Sequence, residues 1–363
     1  MHDDVLLRCA SIACGQHSAL LGRWLLAAGT PSRLTQHDAC TRARVPTEKR
    51  DTFVQLLKTA GSTPHHLGDW QMISILDARY PALLKNISDP PGVLYVRGNV
   101  DALSMPQIAI VGSRSASTDG LDNAFRFARL LASAGFAVTS GLALGIDSQA
   151  HKGALAQPNN NVGITVAVLG HGPDTLYPKR NAPLADDIVQ QGGALVTEFP
   201  FGQGPRRESF PARNRIISGM SLGIVVIEAA IRSGSLITAR LAAQQGREVF
   251  AVPGSIHNPL AKGCHQLLRD GANWLESIDD ILATFSSMQH TASSIDASTT
   301  DSLFTAKQVH HPLLKHFISG INTVDQLVLR SGESAASLSQ TLFELELNGA
   351  VERLPGGYSR RHV

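Results

Sequence analysis

Four short stretches between Ile108 and Ala239 carry the residue types that grip phosphate. They are Ile110-Val111-Gly112-Ser113-Arg114, Ser140-Gly141-Leu142-Ala143-Leu144-Gly145-Ile146-Asp147, Phe210-Pro211-Ala212-Arg213-Asn214-Arg215 and Ser233-Gly234-Ser235-Leu236-Ile237-Thr238-Ala239. Three of them read as a buried strand turning into a helix. A helix start presents unpaired N–H groups and the positive end of a dipole, so it holds an anion. Repeated at neighbouring strand ends, this device makes a row of phosphate seats. Such a row suits a nucleotide or a chain of them.

Each residue has a role in that chemistry. Gly112 lets the backbone approach a ligand, Ser113 donates to an oxyanion, and Arg114 can grip a phosphate through two parallel N–H groups. Ser117 is the expected N-cap of the helix that follows and is placed with the phosphate contacts. Gly141 and Gly145 open the second loop, where Asp147 is an N-cap ahead of His151 and Lys152. A lone His there is more readily a hydrogen-bonded structural group than a catalyst. Arg213 and Arg215 flank Asn214 and can meet adjacent phosphates, with Phe210 as a stacking platform for a base. The alternative for either Arg is an ion pair with a carboxylate such as Glu228. Gly234, Ser235 and Thr238 form a hydroxyl-lined helix start. Lys262 and Gly263 open a further helix with a positive residue at its mouth.

These loops need strands and helices at fixed places, and the pattern supplies them. Expected strands are Ile108–Val111, Phe136–Thr139, Thr165–Leu169, Ala194–Glu198, Ile224–Ile227 and Glu248–Val252. Each is short, largely apolar on both faces and flanked by helical stretches, as in a parallel sheet covered on both sides. In Ser117–Ala134, Leu121, Phe125, Ala128, Leu131 and Ala132 recur at helical spacing. This alternation predicts an α/β fold, a Rossmann-like doubly wound parallel sheet.

The flanks read differently. Residues 1–70 form a small helical (SAM/HhH-like) domain, with Gly22 and Gly29 breaking an apolar run. Asp89-Pro90-Pro91-Gly92 is a turn before the strand Val93–Val96. The main domain spans 71–285. Residues 286–305 are rich in Ser and Thr and read as a linker. In 306–363, helices at Leu313–Ser319, Thr323–Arg330 and Ser334–Asn348 precede a hairpin of Val351–Leu354 and Tyr358–Arg360, the order of a C-terminal winged helix.

Composition bounds the function. The chain has 363 residues, is 43% hydrophobic and carries a net charge of +2, so a polyanion site must be local rather than a general basic surface. Cys9, Cys14, Cys40 and Cys264 form no CxxC pair and no metal spacing, and they read as reduced and structural. With no leader-like start and no membrane-length apolar run, a cytoplasmic protein without metal or cofactor is expected.

Taken together, the motifs resemble DNA processing protein A, the DprA/Smf family. The likeness runs from about Asp77 to Leu282 and includes Tyr80-Pro81, Asp89-Pro90-Pro91, Val111-Gly112-Ser113-Arg114, Arg213-Asn214-Arg215 and Val252-Pro253-Gly254. Leu342–Gly357 resembles the family's winged-helix domain. The resemblance implies a non-enzymatic homodimer that binds single-stranded DNA entering by natural transformation and delivers it to the RecA recombinase. It also implies that Arg114 contacts DNA phosphate.

Two departures follow from this resemblance. The family usually carries a basic residue where this chain has Leu144, which predicts weaker or more salt-sensitive DNA binding. The third tail helix has Glu333, Glu344 and Glu346 and no Lys or Arg between Glu333 and Gly349. Such a face is unsuited to a polyanion, so the tail is expected to serve protein contact or dimer support. Only Arg353, Arg360 and Arg361 near the wing could touch a backbone. Truncation after Phe304 is expected to leave DNA affinity nearly intact. An enzyme reading stands beside this one. The phosphoribohydrolase motif Pro-Gly-Gly-x-Gly-Thr-x-x-Glu falls on Ser233–Leu241, but Leu241 replaces its carboxylate and removes an evident acid–base group. A pure interaction scaffold is the third reading, which Leu144 favours and Arg114, Arg213 and Arg215 oppose.

Overall fold

A computed structural model describes residues 3–14, 18–59, 67–156, 164–292, 313, 323–331, 337–338, 341–342, 345, 351–354 and 357–360. Its contacts divide the chain into two compact units, Met1–Met288 and Gln289–Val363.

The first unit is built on nine strands. They are β1 (Trp70–Ser74), β2 (Val93–Gly98), β3 (Gln107–Gly112), β4 (Ala137–Ser140), β5 (Thr165–Val168), β6 (Ala194–Thr197), β7 (Gly223–Ile227), β8 (Glu248–Ala251) and β9 (Asn273–Trp274). Their order across the sheet is β1-β2-β6-β5-β4-β3-β7-β8-β9. From β6 to β9 every pairing is parallel. The β1–β2 and β2–β6 pairings are antiparallel, so the sheet is mixed at one edge rather than parallel throughout. All six central strands lie where their apolar runs predict. β1 and β9 are additional. Trp70–Ser74 is half exposed and mixed in character, and Asn273–Trp274 is two residues long, so neither presents the apolar run that marks the others.

Alternation along β3 explains the layers. Ile108 and Ile110 meet Ala124, Phe127 and Leu131 of the helix Thr118–Ser133, and Ile146 and Ala150 of the helix Ile146–Leu155. Ala109 and Val111 point the other way, into a core with Ile216 and Ile217 of Ser209–Met220 and Leu236 and Ala239 of Gly234–Gln244. A strand covered on both sides must be apolar at every position, which β3 nearly is.

The N-terminal helices Asp3–Cys14, Ser18–Ala28, His37–Arg42 and Thr47–Thr59 gather around Trp24, whose ring meets Phe53 edge-on at 5.1 Å. The indole Nε1–H donates to the Leu34 carbonyl at 3.1 Å, satisfying the one polar atom of a buried Trp. These helices share a core with the sheet: Tyr95 of β2 donates its hydroxyl to Ser11 at 3.2 Å. All four cysteines are buried and free.

The helix Ile278–Ala292 runs on through the first residues of the expected linker, and residues 293–305 lie outside the described ones. In the second unit, Leu327 of the helix Val324–Ser331 and the helical residues Leu338, Leu342 and Leu345 form a core with Leu313 and Val351. An antiparallel hairpin of Val351–Leu354 and Gly357–Arg360 follows. Of the helix expected at Leu313–Ser319, only Leu313 is described. The side chains of Glu333, Glu344, Glu346, Arg353, Arg360 and Arg361 lie outside the described ones.

Candidate nucleic-acid interface

The chain lays down β3 to β6 in one direction, then crosses over to lay β7 against the other edge of β3. The carboxyl ends of β3 and β7 therefore flank a topological switch point, where open α/β sheets form a crevice. Glycine makes that junction possible. A Cβ on Gly112 would lie 1.9 Å from the Ile227 carbonyl oxygen across the β3–β7 pair. Gly145 has φ +79°, and a Cβ there would lie 2.3 Å from the Ser113 carbonyl oxygen. That carbonyl accepts the Ile146 N–H at 3.1 Å, which ties the first loop to the second.

A cavity of about 580 Å³ opens at this point. It is lined by nine of the predicted residues: Gly112, Ser113, Arg114, Phe210, Arg213, Asn214, Gly234, Ser235 and Thr238. The Arg114 guanidinium sits 5.4 Å above the centre of the Phe210 ring. Cation–π attraction is worth about 0.5–1 kcal/mol at a site as open as this one. Arg114 makes no ion pair among the described residues. Tyr177 adds a second ring, 5.8 Å from Phe210 and 45% exposed. Its backbone N–H donates to His171 Nε2 at 3.2 Å. Tyr177 also lines the cavity, though its sequence signal is only an aromatic residue before Pro178.

Two serine-capped helices start here. Ser233 accepts the Ser235 N–H at 3.2 Å and meets the Ser235 hydroxyl at 2.6 Å. Beside it Gly234 is exposed, and apart from its chain neighbours and its own helix backbone no described atom lies within 4 Å of where a Cβ would stand. This helix start is open to a ligand. The Ser117 start is not. Glu228 accepts the Ser117 N–H at 2.8 Å and the Ser117 hydroxyl at 2.5 Å, and it also takes the Asn258 amide at 3.3 Å. A carboxylate of the protein thus occupies the seat that an outside anion would take. Ser117 caps its helix as expected, accepting the Gly120 N–H at 3.1 Å, but it does not line the cavity.

The two arginines of Arg213-Asn214-Arg215 part company. Arg213 is buried against the cavity and donates to the Val168 carbonyl, and Asp147 lies in its field. A Cβ on Gly141 would strike the Arg213 guanidinium at 2.1 Å, so that glycine makes room for the side chain. Burial pulls Arg213 down to about 10, which leaves it charged at neutral pH. Burial likewise raises Asp147, against the pull of Arg213. The Asp147 carboxylate accepts the Gly141 and Ala143 N–H groups at 3.2 and 3.4 Å, holding the loop shape. Arg215 points the other way. It pairs with Glu198 at 2.6 Å and Asp89 at 3.0 Å, and donates to Ser18 at 3.0 Å. Ser18 also donates to Glu198. Arg215 is therefore a strut between the sheet and the N-terminal helices, and its carboxylate partners are not the Glu228 suggested by sequence.

The remaining predicted residues sit elsewhere. Lys262 is exposed at a helix start but does not line the cavity, and the Gly263 N–H donates to the Ala229 carbonyl at 2.7 Å. Gly145 and Leu144 line a neighbouring groove. His151 is fully buried, 2.7 Å from the Thr165 hydroxyl, and burial pushes its ring down to about 3, so it is neutral and structural. Asp147, the one carboxylate in the cavity lining among the described residues, is held by internal donors, and so is Glu228. Among the described residues no cluster of side chains could hold a metal ion.

Comparison with known proteins identifies relatives. A family model described as DNA recombination-mediator protein A matches residues 71–286, and one described as DprA winged helix domain matches 297–357. The chain is 44% identical over 286 residues to Protein Smf of Escherichia coli (strain K12), covering 77% of this chain and 75% of that protein. It is also 44% identical over 212 residues to the DNA processing protein DprA of Streptococcus pneumoniae, covering 58% and 73%. The solved structure of DNA processing protein A from Streptococcus pneumoniae aligns with TM-score 0.64 and 34% identity, over 78% of this chain and 98% of that one. A structure of the Helicobacter pylori protein, solved for its single-stranded DNA binding mode, aligns with TM-score 0.54 and 27% identity, over 61% and 98%.

Proposed function

The chain belongs to the DNA recombination-mediator protein A family, and from that premise we propose that it binds single-stranded DNA, protects it as it enters by natural transformation, and loads RecA onto it without catalysing a reaction. The observation that carries the reading is the cavity at the switch point, where exposed Arg114, the Phe210 and Tyr177 rings and the open Ser233–Gly234 helix start converge. Phosphates sit on Arg114 and at the helix start, and bases stack on the rings, which tolerates any sequence. The engagement of Asp147 and Glu228 by internal donors supports a binding site over a hydrolytic one.

RecA loading and the homodimer rest on the family resemblance. A dimer gives a long strand two grooves and hence avidity. The division into domains at 1–70, 71–285, 286–305 and 306–363 stands as part of the same proposal, with the tail serving protein contact or dimer support. So does a cytoplasmic location; no helix among the described residues is long and apolar enough to cross a membrane.

Fluorescence anisotropy of labelled oligo-dT and a matched duplex, over a salt series, tests the reading. Wild type is expected to prefer the single strand. Arg114→Ala is expected to bind about 10-fold to 100-fold more weakly, the loss of a hydrogen bond to a charged group. Binding indifferent to strandedness and to Arg114 would overturn it.

A further inference from the structure

A second groove, of about 720 Å³, lies beside the cavity and shares Arg114 with it. Exposed Lys152, near the end of the helix Ile146–Leu155, and exposed Arg180, in the short turn Lys179–Asn181, project into it. Neither makes an ion pair among the described residues. Among the described residues Asp187 is the one carboxylate in the lining, against three cations. Leu144, 38% exposed, and Leu155 supply an apolar wall.

We propose that this groove is a second binding subsite, taking the phosphates of a single strand beyond the Arg114 contact on Lys152 and Arg180. The bases of that segment lie against Leu144 and Leu155. The proposal rests on the reading of the cavity as a single-strand site. Three features point to an extended polyanion rather than a compact ligand. The two hollows adjoin through a shared cation, the second is the larger, and its lining sets three cations beside an apolar wall. The exposed Leu144 then has a use: it offers a face to a base where a charge would offer a contact to phosphate. A single strand has both parts in alternation, and an isolated nucleotide spans neither hollow fully.

The test is length dependence. Anisotropy is measured with oligo-dT of about 5 nucleotides, enough for one hollow, and of about 20, for wild type and a Lys152→Gln, Arg180→Gln variant. Both residues are exposed, and short-oligomer binding by the variant reports that its cavity is intact. The expected result is unchanged affinity for the short oligomer and about 10-fold loss for the long one, with the salt slope falling by about 1.4, or about 0.7 per lost phosphate contact. If wild type fails to bind the short oligomer, the cavity reading falls and this proposal with it. If wild type binds both and the variant matches it on the long oligomer, the groove proposal alone is overturned. Equal loss on both lengths also overturns it, because the groove would then not be an extension.

Discussion

Two serine-capped helix starts flank the switch point, and they meet opposite fates. At Ser117 the protein's own Glu228 reaches across from the end of β7 and fills the anion seat. At Ser233 no carboxylate arrives among the described residues, and Gly234 stands open beside Arg114 and Phe210 in the cavity lining. A helix start binds an outside anion only where the fold has left it unfilled, so the dipole gives the capacity and the neighbours decide its use. The same lesson holds along one helix. Arg213 faces the cavity and Arg215, two residues on, is sealed against Glu198 and Asp89.

The sharpest way to break this contrast is to set the removal of the bracing Arg215 against that of the exposed cavity arginine, Arg114. Arg215→Ala strands Glu198, which is 3% exposed and whose carboxyl burial already raises. Loss of one partner from such a pair is expected to cost about 3–5 kcal/mol in a denaturant titration. Arg114→Ala, at an exposed position, is expected to cost no more than about 1 kcal/mol, the worth of its contact with the Phe210 ring. A reversal of the two would show that the binding and bracing roles are misassigned.

Next comes the pair of helix starts. Gly234→Asp places a carboxylate where phosphate is expected and should weaken oligo-dT binding about 10-fold, as loss of a charged contact does. Ser117→Ala removes the capping hydroxyl and its bond to Glu228 but keeps the backbone N–H bond, with an expected loss of about 1 kcal/mol in stability and no change in DNA affinity. If both variants moved affinity equally, the open and closed starts would not differ in use.

The smallest effect is expected at Leu144, on the groove side. Leu144→Lys adds an exposed charge and should bind oligo-dT about three-fold more tightly at low salt, the gain fading as salt rises. Affinity equal to wild type throughout the series would contradict it.

The central strands were legible because burial on both faces forces an unbroken apolar run, as in Ile108–Val111 and Ile224–Ile227. Of the nine expected residues in the cavity lining, six are Gly, Ser or Arg, types whose recurrence in short loops stands out in a sequence. What the chain order hides is long-range pairing. That Glu228 rather than a ligand meets Ser117 depends on β3 and β7 becoming neighbours across a crossover. The inward turn of Arg215 depends on Ser18, nearly two hundred positions away in the chain. Tyr177 was missed because its place beside Phe210 is set by the His171 contact, not by any local pattern.

A single strand is expected to seat a phosphate at the open helix start. Amide NMR of the intact protein titrated with oligo-dT tests it directly. The Gly234 and Ser235 amide resonances are expected to move with saturation while those of Thr118 and Gly120 stay in place. Binding that leaves Gly234 and Ser235 unmoved, or that shifts the Glu228-filled start instead, would contradict it.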